Sequence, residues 1–304
     1  MGINESGYIK NCYVTGTVSG TENSNTVGGL IGENISGAVT ACHTNIFVKG
    51  SNNMGGLVGR NDFGVILACH TKGNLACKNY VGGLIGHNNS GTVRACYSDS
   101  TVSGAQNVGG LIGYNYNGNI ISCYATGSVS GRHGGGLVGV NWQGKVIRCY
   151  STGKPAGNWA VGGLCGSGNK QGNYEDTRNF WDIQTSEMTA SMMGTGLTTA
   201  EMKMLSTFSG AGWDFTGETA NGTDDIWRMC ADGIDYPKLN WEYVRDGDFS
   251  CPDGIGFDDL LKFSNDWLST YSTPLYGADA DGDKNVNFAD FAVLASHWLE
   301  NNGQ

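Results

Sequence analysis

Charge is scarce in this chain. Asp, Glu, Lys and Arg together make up 15% of 304 residues. Lys and Glu, both strong helix formers, are thin in the first half, which argues against helices there. No apolar run reaches the ~20 residues that a membrane-spanning helix needs. Met1-Gly2-Ile3-Asn4 carries neither a basic n-region nor an apolar h-region, so no signal peptide is visible. Residues 100–174 contain no Asp or Glu, and the five histidines form no nucleophile–base pair. A polysaccharide lyase or hydrolase needs clustered carboxylates or basic groups in a groove, so the sequence predicts no enzyme. The basic residues are scattered singly without interleaved aromatic platforms, which argues against nucleic-acid binding.

What is abundant is glycine, with 50 residues, and it falls in register. Gly-Gly pairs recur at Gly28-Gly29, Gly55-Gly56, Gly82-Gly83, Gly109-Gly110, Gly135-Gly136 and Gly162-Gly163, in steps of 27, 27, 27, 26 and 27 residues. A fixed period of this size signals a solenoid, a propeller or an array. Three apolar columns follow the period. One is Leu30-Ile31, Leu57-Val58, Leu84-Ile85, Leu111-Ile112, Leu137-Val138 and Leu164-Cys165. The second is Ile9, Val39, Ile66, Val93, Ile120 and Val146. The third is Val18, Val48, Leu75, Val102 and Val129, with Pro155 breaking the last copy. Gly, Asn and Ser separate them. Three short strands and three corners per period predict one coil of a β-solenoid, whereas a propeller blade needs about 40 residues.

Three further columns carry polar or aromatic groups. Asn4, Asn34, Asn61, Asn88, Asn115 and Asn141 would stack about 4.8 Å apart and suit left-handed corners. The competing reading is glycan attachment, because Asn4-Glu5-Ser6, Asn34-Ile35-Ser36 and Asn88-Asn89-Ser90 fit the acceptor pattern. Cys12, Cys42, Cys69, Cys96, Cys123 and Cys149 read as a ladder of buried thiols acting as small hydrophobes. Tyr13, His43, His70, Tyr97, Tyr124 and Tyr150 read as an aromatic stack; a metal held by His43 and His70 with Cys42 and Cys69 is the sharper alternative.

The string Gly-Gly-Leu-Ile-Gly-x-Asn-x-Ser-Gly-x-Val-x-x-Cys-Tyr, followed by Gly-x-Val-x-Gly, resembles the GLUG motif of bacterial surface and secreted adhesin-like proteins. The resemblance covers about half of the chain and implies an extracellular or cell-surface repeat protein. Gly2 to Cys12 aligns residue for residue with Gly32 to Cys42, so the chain begins inside a repeat. The expectation is an incomplete natural N-terminus, and the missing signal peptide then says nothing about compartment.

The repeat spans 1–172. Its charge is +6, from 11 basic and 5 acidic residues, whereas 173–304 carries −16, from 7 and 23. This split predicts separate functional blocks. Residues 173–245 hold Trp181, Trp213, Trp227 and Trp241 and read as a capping or junction segment over the last coil. Thr198-Thr199-Ala200-Glu201 is a capping-box start for a short helix from Met202 to Phe208. An aromatic sugar-binding surface is the alternative for the tryptophans. Cys230 and Cys251 lie outside the ladder and are a plausible disulfide in a secreted protein.

Residues 246–304 hold the most specific chemical signal. In the run from Asp279 to Asp290, Asp279, Asp281, Asp283, Asn287 and Asp290 place oxygen donors at loop positions 1, 3, 5, 9 and 12, with the backbone carbonyl of Asn285 at position 7. That is what a hard calcium ion takes. Lys284 stands where such loops have Gly. A second unit precedes it by 31 residues, with Phe257, Asp259, Leu260, Phe263, Trp267 and Leu268 matching Phe288, Asp290, Phe291, Leu294, Trp298 and Leu299. In its loop, Asp248, Asp253 and Asp259 are the candidate ligands, and Pro252 stands at position 5; occupancy of this loop is left open.

Two loop–helix units in tandem resemble a dockerin domain, which implies docking to a cohesin-type partner. Cellulosomal dockerins carry small hydroxylated residues at positions 10 and 11. Here these are Phe288-Ala289 and Phe257-Asp258, which points to another anchoring partner or an intramolecular role. The sequence therefore predicts a mainly β chain: a β-solenoid of ~27-residue, three-strand coils, a small α+β cap and a small helical calcium domain. The expected function is an extracellular structural or adhesive protein attached through its C-terminus, with head-to-tail filaments as a special case. A carbohydrate-binding module of a secreted polysaccharide-degrading system, with glycan contact through exposed Tyr or Trp, is the alternative.

Overall fold

A computed structural model describes residues 2–21, 24–169, 178–244, 247–250, 255–271 and 277–298. The chain divides into two compact units, residues 1–202 and 203–304. The boundary falls inside the Trp-rich segment.

The first unit is a parallel β-solenoid. Each coil contributes to each of four sheets, with the third-sheet strand split in two at Tyr124–Ala125 and Val129–Ser130 and at Tyr150–Ser151 and Pro155–Ala156, and each strand pairs with its counterpart one period away. Val58–Asp62 lies between Ile31–Ile35 and Ile85–Asn89, and Val65–Leu67 lies between Ala38–Thr40 and Thr92–Arg94. His70–Cys77 lies between His43–Lys49 and Tyr97–Gly104. The fourth sheet is the difference from the expected three. Its strands, such as Met54–Gly55 and Val81–Gly82, are only two or three residues long, too short to leave a period-2 pattern in the sequence.

The glycine pairs make this fourth strand possible. A Cβ on Gly56 would strike the Gly83 carbonyl and the side chain of Thr71, and one on Gly83 would strike the Gly110 carbonyl and Ser98 Oγ. Small residues face the pairs of the inner coils, Thr71, Ser98, Ala125 and Ser151 at Gly56, Gly83, Gly110 and Gly136, and Thr44 and Thr71 donate their hydroxyls to Gly56 O and Gly83 O, each at 2.9 Å. The apolar columns fill the interior on either side of this close approach. One cluster joins the Leu-Ile column, the Val/Ile column and the cysteines. The other joins Val48, Leu75, Val102 and Val129 to Met54, Val81 and Val108. Pro155 does not end the third sheet; it pairs in register with Val129.

Two corners per coil are left-handed. The first falls two residues after each ladder asparagine, at Ser36, Phe63, Ser90, Asn117 and Gln143. The second falls just before each ladder cysteine, at Ala41, Ala68, Ala95, Ser122 and Arg148. Alanine has no side-chain hydrogen bond to favour this conformation, so the neighbouring rungs impose it.

The coil pattern runs on beyond residue 172 with altered side chains. Phe180–Asp182 pairs with Tyr150-Ser151 and then with Thr195–Leu197. Asn179, Phe180 and Trp181 stand where earlier coils have Cys, Tyr and a small residue. Trp181 lies over Gly163, nearly buried, and donates its indole N–H to Met188 O at 3.2 Å. It thus closes the core where the next glycine pair would have packed. The capping box forms as expected, with Thr198 N–H on Glu201 Oε2 at 2.8 Å and Glu201 N–H on Thr198 Oγ1 at 3.2 Å.

The second unit has its own core, and Trp213 and Trp227 belong there. Their rings lie 4.6 Å apart and both are fully buried with Phe208. Around them run helix α1 (Leu205–Ser209), the antiparallel strands Trp227–Arg228 and Lys238–Leu239, and helix α2 (Asn240–Val244). Helices α3 (Phe257–Asp266) and α4 (Phe288–Trp298) complete the unit. The expected match of Leu268 to Leu299 cannot be followed, because Leu299 lies outside the described residues. Among the described residues, no helix is long and apolar enough to cross a membrane.

Candidate functional site

The three internal ladders are structural. Each ladder asparagine donates to the glycine carbonyl three residues on, at 2.9–3.2 Å, and to the Oδ1 of the next asparagine at 2.7–2.8 Å. The amide nitrogens of Asn4, Asn34 and Asn88 are therefore spent inside the coil. The folded solenoid does not present them for glycan attachment.

The cysteine ladder forms as expected. Each backbone N–H donates to the next Sγ at 3.3–3.4 Å, and each thiol donates to the carbonyl two residues back at 3.1–3.4 Å. Asn179 ends the series, with its Oδ1 taking the Cys149 N–H at 3.0 Å. These cysteines are free, and burial pushes the Cys96 and Cys149 thiols well above their ordinary range. Cys230 is disulfide-bonded; its expected partner, Cys251, lies outside the described residues. His43 and His70 stack face to face at 4.8 Å and 5°. Imidazole lone pairs lie in the ring plane, so parallel stacked rings do not converge on one ion.

The second unit carries the chemistry. Asp279, Asp281 and Asp283 each offer a carboxylate oxygen within 4.8 Å of the others. Asp290, fully buried, accepts the N–H of Asp281 at 3.1 Å and of Asn287 at 2.8 Å. Burial raises its carboxyl pKa, and those two N–H groups oppose the rise. Lys284 sits at φ +76° and donates its N–H to Asp279 Oδ2 at 3.0 Å. The loop thus makes its left-handed turn at the position where such loops normally have Gly. Asn285 N–H donates to Asp283 Oδ1 at 2.7 Å, while Asn287 Oδ1 caps α4 by accepting the Ala289 N–H at 2.8 Å. The structure therefore gathers the three loop aspartates, braces them with Asp290 and turns Asn287 to the helix. Clustered carboxylates are hard oxygen donors suited to a hard cation.

The 31-residue duplication is visible as geometry. Asp259 accepts the N–H of Ser250 and of Gly256, each at 2.7 Å, matching Asp290 with Asp281 and Asn287. Phe249, Ile255 and Phe263 share one buried cluster with their counterparts Ala280, Val286 and Leu294. Phe257 packs edge-on against Trp298 at 5.7 Å, and Phe288 against Trp267 at 5.0 Å. Both phenylalanines stay exposed, at 81% and 76%.

The first loop differs in its ligands. Asp253 lies outside the described residues. Of the other two, Asp259 holds backbone N–H groups as Asp290 does, and Asp248 faces Arg228. Arg228 is a residue that sequence reading missed, because it lies 20 residues from the loop it serves. Burial lowers its pKa, and Asp248 opposes that shift.

These features define a β-solenoid repeat protein with a paired loop–helix unit at its C-terminal end. A family model described as the GLUG motif matches residues 104–130, which are one of the 27-residue periods in the solenoid. No curated protein and no solved structure matches the chain.

Proposed function

We propose that this chain is an extracellular structural or adhesive repeat protein. Its solenoid acts as a non-catalytic spacer, and its second unit is a calcium-binding, dockerin-like attachment module. The observation that carries this reading is the Asp279–Asp290 loop, with three carboxylates within 4.8 Å and a left-handed position 6. Asp279, Asp281, Asp283 and Asp290 would hold calcium by their carboxylates, with the Asn285 carbonyl. The ion would neutralise their repulsion and fix the start of α4. The exposed Phe257 and Phe288 offer a paired apolar surface to a cohesin-like partner.

The test is a calcium titration of the full chain by calorimetry, alongside thermal unfolding with and without chelator. Binding that raises the unfolding temperature, and that Asp279→Asn with Asp281→Asn abolishes, supports the reading. A chain that melts identically in calcium and chelator refutes it.

A second reading is carbohydrate binding along the solenoid. Tyr116 and Trp142 stand in register on adjacent rungs, 37% and 42% exposed, and aromatic faces of this kind suit sugar rings. A glycan array with no hits, or hits unchanged by Trp142→Ala, removes it.

A further inference from the structure

The two loops of the second unit share a backbone but not a charge pattern. The second loop has Asp at positions 1, 3 and 5. The first has Asp248, Ser250 and, in sequence, Pro252. Positions 3 and 5 therefore bring no carboxylate to the first loop.

Arg228 is the group that meets it. The side chain is buried, 5% exposed. Its Nη1 donates to the Asp248 carbonyl at 3.1 Å and more weakly to the Ser250 carbonyl at 3.5 Å, and its Nη2 donates to the Phe249 carbonyl at 3.0 Å. The Asp248 carboxylate lies 3.8 Å from Nη1, and the ring of Tyr243 lies 4.9 Å from the guanidinium carbon. Three consecutive carbonyls and one carboxylate thus converge on a single buried positive charge. A planar fork of donors suits such a cradle better than an ammonium would. A divalent ion brought to Asp248 would be repelled by the guanidinium, and repulsion is strong where water is excluded.

We infer that Arg228 is the built-in cation of the first loop, so that the unit takes up one calcium ion and not two. The inference rests on the calcium reading of the second loop only for that count; the role of Arg228 is tested separately. The guanidinium also ties the strand Trp227–Arg228 to the loop that leads into α3.

Two measurements on the full chain decide it. The first is calcium stoichiometry by native mass spectrometry. One ion per chain supports the inference and two overturn it. If no ion binds, the calcium reading falls, and the second measurement alone judges Arg228. That measurement is a double-mutant cycle of thermal unfolding with Arg228→Met and Asp248→Asn. Arg228→Met is expected to lower the unfolding temperature by about 5–10 °C, as roughly 1–2 kcal/mol would for a unit of this size. Asp248→Asn should recover part of that loss in the Arg228→Met background while lowering stability in the parent chain. Shifts that simply add show that the two groups are not coupled and overturn the inference. Should Arg228→Met not fold, Arg228→Lys serves in its place: it keeps the charge without the fork and should still melt lower, and an unchanged melt overturns the inference.

Discussion

Cutting the asparagine ladder at its middle should cost more than cutting it at its end. Asn88 is fully buried. It accepts from Asn61 at 2.8 Å, donates to Asn115 at 2.8 Å and donates to Gly91 O at 3.1 Å. Asn88→Ala therefore strands two polar groups that water cannot reach, one Asn61 N–H and the Asn115 Oδ1, while the Gly91 carbonyl keeps the Asn119 N–H at 2.9 Å. At ~1–3 kcal/mol for each unsatisfied buried group, the loss is about 4 kcal/mol, allowing for some relaxation. Asn141 stands where the next rung offers only Gly168. Its replacement strands one ladder group, the Asn115 N–H, and should cost about 2 kcal/mol.

Asn88→Asp sharpens the test without changing shape. Its carboxylate would face Asn115 Oδ1, two acceptors together in a dry interior, so the folded protein would favour the protonated acid. A folded pKa raised above the unfolded value means that the deficit is smallest below pH ~4 and grows as pH rises past it. Urea unfolding followed by far-UV circular dichroism measures all three variants. Equal costs for Asn88→Ala and Asn141→Ala, or an Asn88→Asp chain as stable as the parent at pH 7, would refute the claim that the ladder is a continuous hydrogen-bonded column.

Four other outcomes follow from the coordinates. Gly83→Ala drives a Cβ into the Gly110 carbonyl and Ser98 Oγ and should cost about 3 kcal/mol by overpacking, seen as a lower melting temperature; an unchanged melt would mean that the coils are looser than the glycine pairs require. His87 is packed against Tyr80 and Tyr114, and burial, with Arg60 adding to it, lowers its pKa from 6.5 to about 4. A depressed histidine stabilises fully above its unfolded pKa and loses that contribution as pH falls from 6.5 towards 4, up to roughly 3 kcal/mol; His87→Gln should flatten melting temperature against pH in that window. Lys284→Gly relieves a left-handed lysine at φ +76° and should stabilise the second unit by about 0.5–1 kcal/mol, the strain relief less the added freedom of the unfolded chain, as read by urea unfolding. Native chain should leave Cys42, Cys69, Cys96, Cys123 and Cys149 unreactive to a thiol reagent, and denaturation should make all five react; a ladder cysteine that stays unreactive would reveal a bond across rungs.

The solenoid was legible because its information is periodic. Every inward residue is repeated at the same offset, so the Leu-Ile, Val/Ile, Asn, Cys and aromatic columns could be assigned before any rung was seen. What escaped was the part that periodicity hides. The strand at each glycine pair is too short to alternate, and the left-handed turn before Cys42, Cys69 and Cys96 is held by alanine, which signals no turn. The cap was read as a break because Asn179, Phe180 and Trp181 replace Cys, Tyr and a small residue. Each substitution keeps the column's role while changing its chemistry: an amide oxygen for a thiol acceptor, one ring for another, a large ring for the missing coil.

The two acidic loops show the opposite limit. The second could be read from sequence because its charges lie within a single turn of chain, and the trio Asp279, Asp281 and Asp283 is set by local geometry. The first could not, because Asp248 is answered by Arg228, 20 residues earlier and on a different element. Duplicated segments conserve what the backbone must do, here the Asp259 and Asp290 bonds to the N–H groups nine and three residues before them. They are free to diverge in which cation balances the loop. An acidic run therefore identifies a cation site only once the nearest internal cation has been found. In this unit, that residue separates the loop with three gathered carboxylates from the loop that meets its own guanidinium.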